Sequence, residues 1–206
     1  MGRLTKAEIV STALAIVGNK QIQATGEGWL DILLDEIART VRWPDLQRQY
    51  SITIAPNQDT LAYPLDYAFL VPDRRSRAVG IYSPNDGSGA TNLYLSSLGM
   101  SRDSASHQNT VGASSPMRIA DDRDNRQWVI DPKPSLGGLL AINYQYIPAP
   151  VASGAVCWFP SDRALMDAIA FMAEVRGRGG QVNIQAALQT ASMRRALGGP
   201  ARAQLW

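Results

Sequence analysis

The chain has 206 residues, of which 45% are hydrophobic and 18% charged, and its formal net charge is +2. That length suits one compact domain or two small coupled layers, and so small a charge does not by itself imply a nucleic-acid or membrane partner. A single cysteine, Cys157, excludes an internal disulfide and fits a reducing compartment, and no apolar run approaches the roughly 18–20 residues of a membrane span.

The first element is announced by Thr5-Lys6-Ala7-Glu8. This is a capping box, in which the Thr5 hydroxyl accepts the Glu8 amide proton and the Glu8 carboxylate accepts the Thr5 amide proton. The residues before it lack the apolar core of a signal peptide. Ile9, Val10, Ala13, Leu14 and Val17 follow at helical spacing, and Gly18 suits a left-handed helix end. A second helix is predicted from Gly28 to Val41, with Leu30, Leu33, Leu34, Ile37 and Val41 as its apolar stripe and Pro44 as its stop.

The period changes at residue 50. Tyr50, Ile52 and Ile54 alternate with polar residues, as in a half-buried strand. Further strands are predicted at Leu61–Tyr63, Ala78–Tyr82, Asn92–Leu95, Met117–Ala120, Gln127–Ile130 and Leu139–Ile147, separated by turn-rich pieces, which reads as an antiparallel layer. Its aromatic residues Trp128, Tyr144, Tyr146, Trp158 and Phe159 read as core. The stretch 96–115 is rich in Ser, Gly and Asn and has no period. Helices return at Ser161, a candidate N-cap, with Leu165, Ala168, Ile169, Met172 and Val175 as a stripe. After Arg176-Gly177-Arg178-Gly179-Gly180, a last helix is expected from Val182 to Leu197, with Ile184, Leu188 and Ala191 inward.

The expected fold is therefore α+β. N- and C-terminal helices (1–49 and 161–197) form a helical bundle, a central antiparallel β layer (50–160, with the long loop 96–115) is inserted between them, and 198–206 is a C-terminal tail.

Little in this order points to chemistry. One histidine and one cysteine are too few for a structural zinc site, and there is no P-loop, GxGxxG or nucleophile elbow. No catalytic, metal or cofactor residue is assigned. Asp103, Ser104 and His107 lie close together, but in one loop rather than on separate elements of a frame, so a solvated loop is the better reading. Asp121-Asp122-Arg123-Asp124-Asn125 lacks the glycine and the later glutamate of a calcium loop and reads as a charged turn. The excess charge is arginine and lies late: Arg163, Arg176, Arg178, Arg194, Arg195 and Arg202 face only Asp162, Asp167 and Glu174. Arg176, Arg178, Arg194 and Arg195 are candidates to face DNA, although positive charge at helix ends explains them as well. The terminal Arg202, Leu205 and Trp206 make a frayed tail or, since tryptophan is enriched among interface anchors, a docking peptide.

Taken in series, four stretches resemble the head-to-tail adaptor (connector) proteins of short-tailed phages. They are Leu4–Val10 with Ala13-Leu14 and Val17-Gly18; Trp43-Pro44-Asp45-Leu46 running into Tyr50–Thr53; Asp59–Tyr67; and Ser115–Ile119, Ile130–Pro134 and Ile142–Pro148 ahead of Phe159-Pro160-Ser161. One departure is local: Pro64 precedes Leu65, whereas the family's usual order is leucine then proline. The resemblance implies a homo-oligomeric ring, typically twelvefold, in the virion neck. It would be assembled in the host cytoplasm and docked under the portal protein. DNA would pass through its lumen without sequence-specific binding, and a downstream tail, nozzle or fibre protein would bind its far face. It implies no enzymatic activity, no cofactor and no membrane. The rival expectation is a nucleic-acid-binding module built on the C-terminal arginines.

Overall fold

The computed structural model describes residues 3–18, 23–95 and 118–198. The chain divides into two compact units, one made of residues 1–42 and 148–206, the other of residues 43–147.

The first unit is helical. Helix α1 (Lys6–Ile16) opens on the Thr5 capping box, and both of its reciprocal hydrogen bonds are present. Helix α2 (Gln23–Thr40) begins earlier than its glycines suggest. Gly26 is a contact residue rather than a breaker, since a Cβ there would lie 2.4 Å from Val10 Cγ1 on α1. Helix α3 (Asp162–Gly177) is capped by Ser161, whose hydroxyl accepts the Ala164 amide proton at 3.3 Å. Ile9, Val10, Leu30, Leu33, Ile37, Leu165, Ile169 and Met172 fill the core of this unit at full burial. The expected single C-terminal helix is two short ones, α4 (Ile184–Leu188) and α5 (Ala191–Ala196). Thr190 takes an extended backbone (ψ 148°) and interrupts the run. As a result Ala191 is exposed, and Met193 and Leu197 are buried instead.

The start of the chain is fastened to the segment before α3. The Lys6 and Ala7 amides donate to the Ala155 and Ser153 carbonyls, both at 2.9 Å, satisfying donors that a helix start leaves open. The Asp162 carboxylate accepts the Leu4 amide at 2.9 Å and the Arg3 guanidinium at 3.0 Å.

The second unit is one sheet. A 3-10 turn (Pro44–Leu46) leads into β1 (Gln47–Ile54), followed by β2 (Thr60–Ala62), β3 (Tyr67–Leu70), β4 (Ala78–Pro84), β5 (Thr91–Leu95), β6 (Arg118–Asp122), β7 (Gln127–Asp131) and β8 (Gly138–Tyr146). The strand order is β1-β8-β4-β5-β6-β7-β2, with β3 pairing the far half of β8. Alternation sets the faces. Ile52 lies opposite Leu140, Tyr82 opposite Leu140, Ile119 opposite Ile130, and Leu61 opposite Trp128, all on the inner side.

This overturns the expectation of a helical bundle flanking a central antiparallel layer. The sheet is mixed, because β5 and β6 run parallel. It is also curled into a half-barrel: Tyr50 on the first strand in the order and Trp128 on the sixth have ring centroids 6.0 Å apart. Three features bend it. Register shifts interrupt β4 between Ala78 and Gly80 and β3 between Tyr67 and Phe69. Gly80 also lets β8 approach so closely that a Cβ would meet the Ala141 carbonyl at 2.6 Å. Strand β3, which the sequence reading missed, holds one such shift. Trp158 and Phe159 belong to the helical unit and not to the β region.

Candidate functional site

Side chains that carry acid–base or nucleophilic chemistry do not converge among the described residues. Cys157 is buried, and burial with Asp162 nearby pushes its thiol up to about 11, so it stays protonated. Tyr63 donates to the Asp121 carboxylate, which also accepts from Arg123 at 3.3 Å. Burial first, and Asp121 second, raise the Tyr63 phenol far above its ordinary value, and burial does the same for Tyr67. These phenols hold their protons and belong to an aromatic core, with Tyr63–Tyr67 centroids at 4.2 Å and Tyr67–Trp128 at 5.2 Å. No group of His, Cys, Asp and Glu among the described residues is arranged to hold a metal ion. The Asp121–Asn125 tract spans the turn between β6 and β7, where the Asp122 carboxylate accepts from Asn125 and Gln127. No described helix is long and apolar enough to cross a membrane.

What the molecule does present is contact surface. On the outer face of the sheet, Ile81 on β4, Tyr94 on β5 and Leu139 on β8 are each more than two-fifths exposed. Ile81 pairs with Ala141 and Leu139 with Ser83, opposite in direction to the buried Tyr82 and Leu140. Leu65, in the connection from β2 to β3, is 95% exposed. The helical unit shows Ile32 on α2 and Ile16 at the end of α1.

The arginines chosen from sequence fall on two helices. Arg176 lies in the last turn of α3, and Arg178 caps that helix while donating to Glu174. Arg194 and Arg195 occupy the last turn of α5, where cations suit the helix dipole. All four are exposed. Arg176 and Arg194 join no ion pair among the described residues. The tail residues Arg202, Leu205 and Trp206, the trio Asp103, Ser104 and His107, and the loop 96–115 lie outside the described residues. Of the alanines in the C-terminal helices, Ala164, Ala168, Ala173 and Ala187 are fully buried in the unit's own core.

Sequence reasoning passed over one feature, the basic tip between β3 and β4. Its signal was available in the run Arg74-Arg75-Ser76-Arg77.

Compared with known families, residues 4–205 match the family model described as SU10 adaptor protein. No curated protein matches the chain.

Proposed function

Because the chain belongs to the SU10 adaptor protein family, and is thereby a phage adaptor protein, we propose that its copies close into a ring beneath the portal and extend the DNA channel of the virion neck. The observation that carries this reading is the reach of the match, which takes in nearly the whole chain. A ring needs a heterologous interface, with one face of a protomer fitting a different face of its neighbour at a rotation that closes. Exposed apolar side chains on the sheet (Ile81, Tyr94, Leu139) and on the helices (Ile16, Ile32) supply two unlike surfaces for such contacts. The far face of the ring receives a tail, nozzle or fibre protein, and the 201–206 tail, with Trp206 as anchor, docks to the portal. Arg176, Arg178, Arg194 and Arg195 are proposed to face DNA that passes without sequence-specific contact. Assembly is proposed to take place in the host cytoplasm. The protein works by assembling and not by turnover.

The test is to mix purified chain with portal and image the product by cryo-electron microscopy. The expected outcome is a ring seated on the portal, twelvefold in copy number, around an open lumen. A chain that stays monomeric with portal, and is missing from the neck of the virion, would reject the reading.

A further inference from the structure

We infer that the tip between β3 and β4 is a contact for the phosphodiester backbone of a nucleic acid, made by Arg74, Arg75 and Arg77. All residues from 73 to 77 are exposed. The three guanidinium groups join none of the ion pairs among the described residues, whereas Arg48 and Arg123 of the same unit pair with Asp66 and Asp121. The only acid in the tip, Asp73, is committed to the backbone. Its carboxylate accepts the Arg75 and Ser76 amides, each at 2.9 Å, and the Ser76 hydroxyl at 3.1 Å. Those bonds hold the Asp73 carboxyl below its ordinary range. The Asp73 amide donates to Ala78 at 2.8 Å, and its carbonyl accepts the Arg77 amide at 3.0 Å. Three cations are thus presented on a turn whose backbone is already fixed, and with Asp73 ionised the tip carries a net charge of +2 (three arginines against one aspartate).

Arg77 has φ +59°, a left-handed conformation that glycine enters freely and other residues only at a cost, and Arg126 in the turn between β6 and β7 shares it at φ 53°. What points to a polyanion is that the tip carries no apolar side chain. The buried centre of a protein–protein contact is more apolar than its rim, whereas contact with phosphates needs only charge and donors. An acidic protein face is therefore the less suited partner. The turn between β6 and β7 offers a contrast: Arg123 and Arg126 stand there among Asp121, Asp122 and Asp124, and two cations against three anions leave a charge of −1.

This inference rests on the adaptor reading only in that DNA passes beside the chain. The test measures binding of the intact protein to a short DNA duplex by fluorescence anisotropy from 50 to 200 mM salt. Three phosphate contacts give a slope of about −2.7 in log affinity against log salt, roughly a 40-fold fall over that range. The triple variant Arg74→Gln, Arg75→Gln, Arg77→Gly is expected to lose most of that slope. A charge-matched variant, Arg39→Gln, Arg123→Gln, Arg163→Gln, at exposed arginines that are paired with aspartates and have no proposed place on DNA, is expected to keep it. Arg77→Gly alone should unfold no earlier than the parent while lowering the slope by about one. The inference is overturned if the triple variant binds with the parent's slope, if the charge-matched variant loses as much, or if polyglutamate binds the tip as tightly as DNA does. Ring closure on the portal, scored for the same variants, separates the two readings. Rings that close without the tip leave assembly intact, and DNA binding without any ring counts against the adaptor reading alone.

Discussion

Lys6 is 5% exposed and is paired with Asp31. Its ammonium donates to both Asp31 carboxylate oxygens at 2.8 Å and to the Val151 carbonyl at 3.0 Å, so all three protons are used. Removing one partner of a buried pair strands the other, at a cost of 3–5 kcal/mol where both are fully buried. The Asp31 side chain is 30% exposed, which brings the expectation for Asp31→Ala down to about 2 kcal/mol. Urea denaturation should show that loss, and Lys6→Met combined with Asp31→Leu should recover most of it. Nothing in the sequence marks this pair, because Lys6 stands inside the capping box, between Thr5 and Glu8, with no local pattern that sets it apart from a surface lysine. The box itself was legible, since its geometry is local to four residues. The lysine's burial depends on α2 and on residue 151, far away in the chain.

At the scale of elements, helix α2 holds two glycines with opposite roles. Gly26 is pressed against Val10, while Gly28 has no atom within 4 Å of where its Cβ would stand. Gly28→Ala should stabilise the protein by about 0.5–1 kcal/mol through helix propensity. Gly26→Ala should destabilise it by about 1–3 kcal/mol by forcing α1 and α2 apart. The comparison is made by denaturant midpoint at constant slope. Equal shifts in the same direction would show that Gly26 is not a packing contact. The sequence reading began this helix at Gly28, just ahead of the apolar stripe that starts at Leu30, and no local pattern distinguishes a glycine kept for close approach. Strand positions were legible from the alternation of Tyr50, Ile52 and Ile54. The parallel pairing of β5 with β6, and the curl that brings Tyr50 to Trp128, were not. Periodicity reports which face a residue takes and is silent on which strand lies beside it.

For the whole molecule, the family was legible from the serial order of several weak segments, none of them diagnostic alone, and not from any reactive site. The tail belongs to this scale. Deleting residues 201–206 is expected to weaken docking to immobilised portal by roughly 30-fold, as for loss of an aromatic anchor of about 2 kcal/mol, and to leave the thermal unfolding of the protein unchanged. Unaltered docking would end the anchor role of Trp206. The C-terminal arginines were singled out as the basic excess, but totals along the chain conceal local concentration. Arg74, Arg75 and Arg77 sit in a stretch whose acids nearly balance its bases, and their significance emerges only when the turn is seen to hold all three exposed and outside the ion pairs of the described residues.

The fastening of the first helix to residues 153–162 has a temporal consequence. On the ribosome, α1 emerges early, but the carbonyls that receive its Lys6 and Ala7 amides are added about 150 residues later. The sheet unit, continuous from 43 to 147, has all its strands before those acceptors exist. Synthesis therefore imposes an order: the strands can mature on the nascent chain while the opening helix waits for the last third of the polypeptide to be translated.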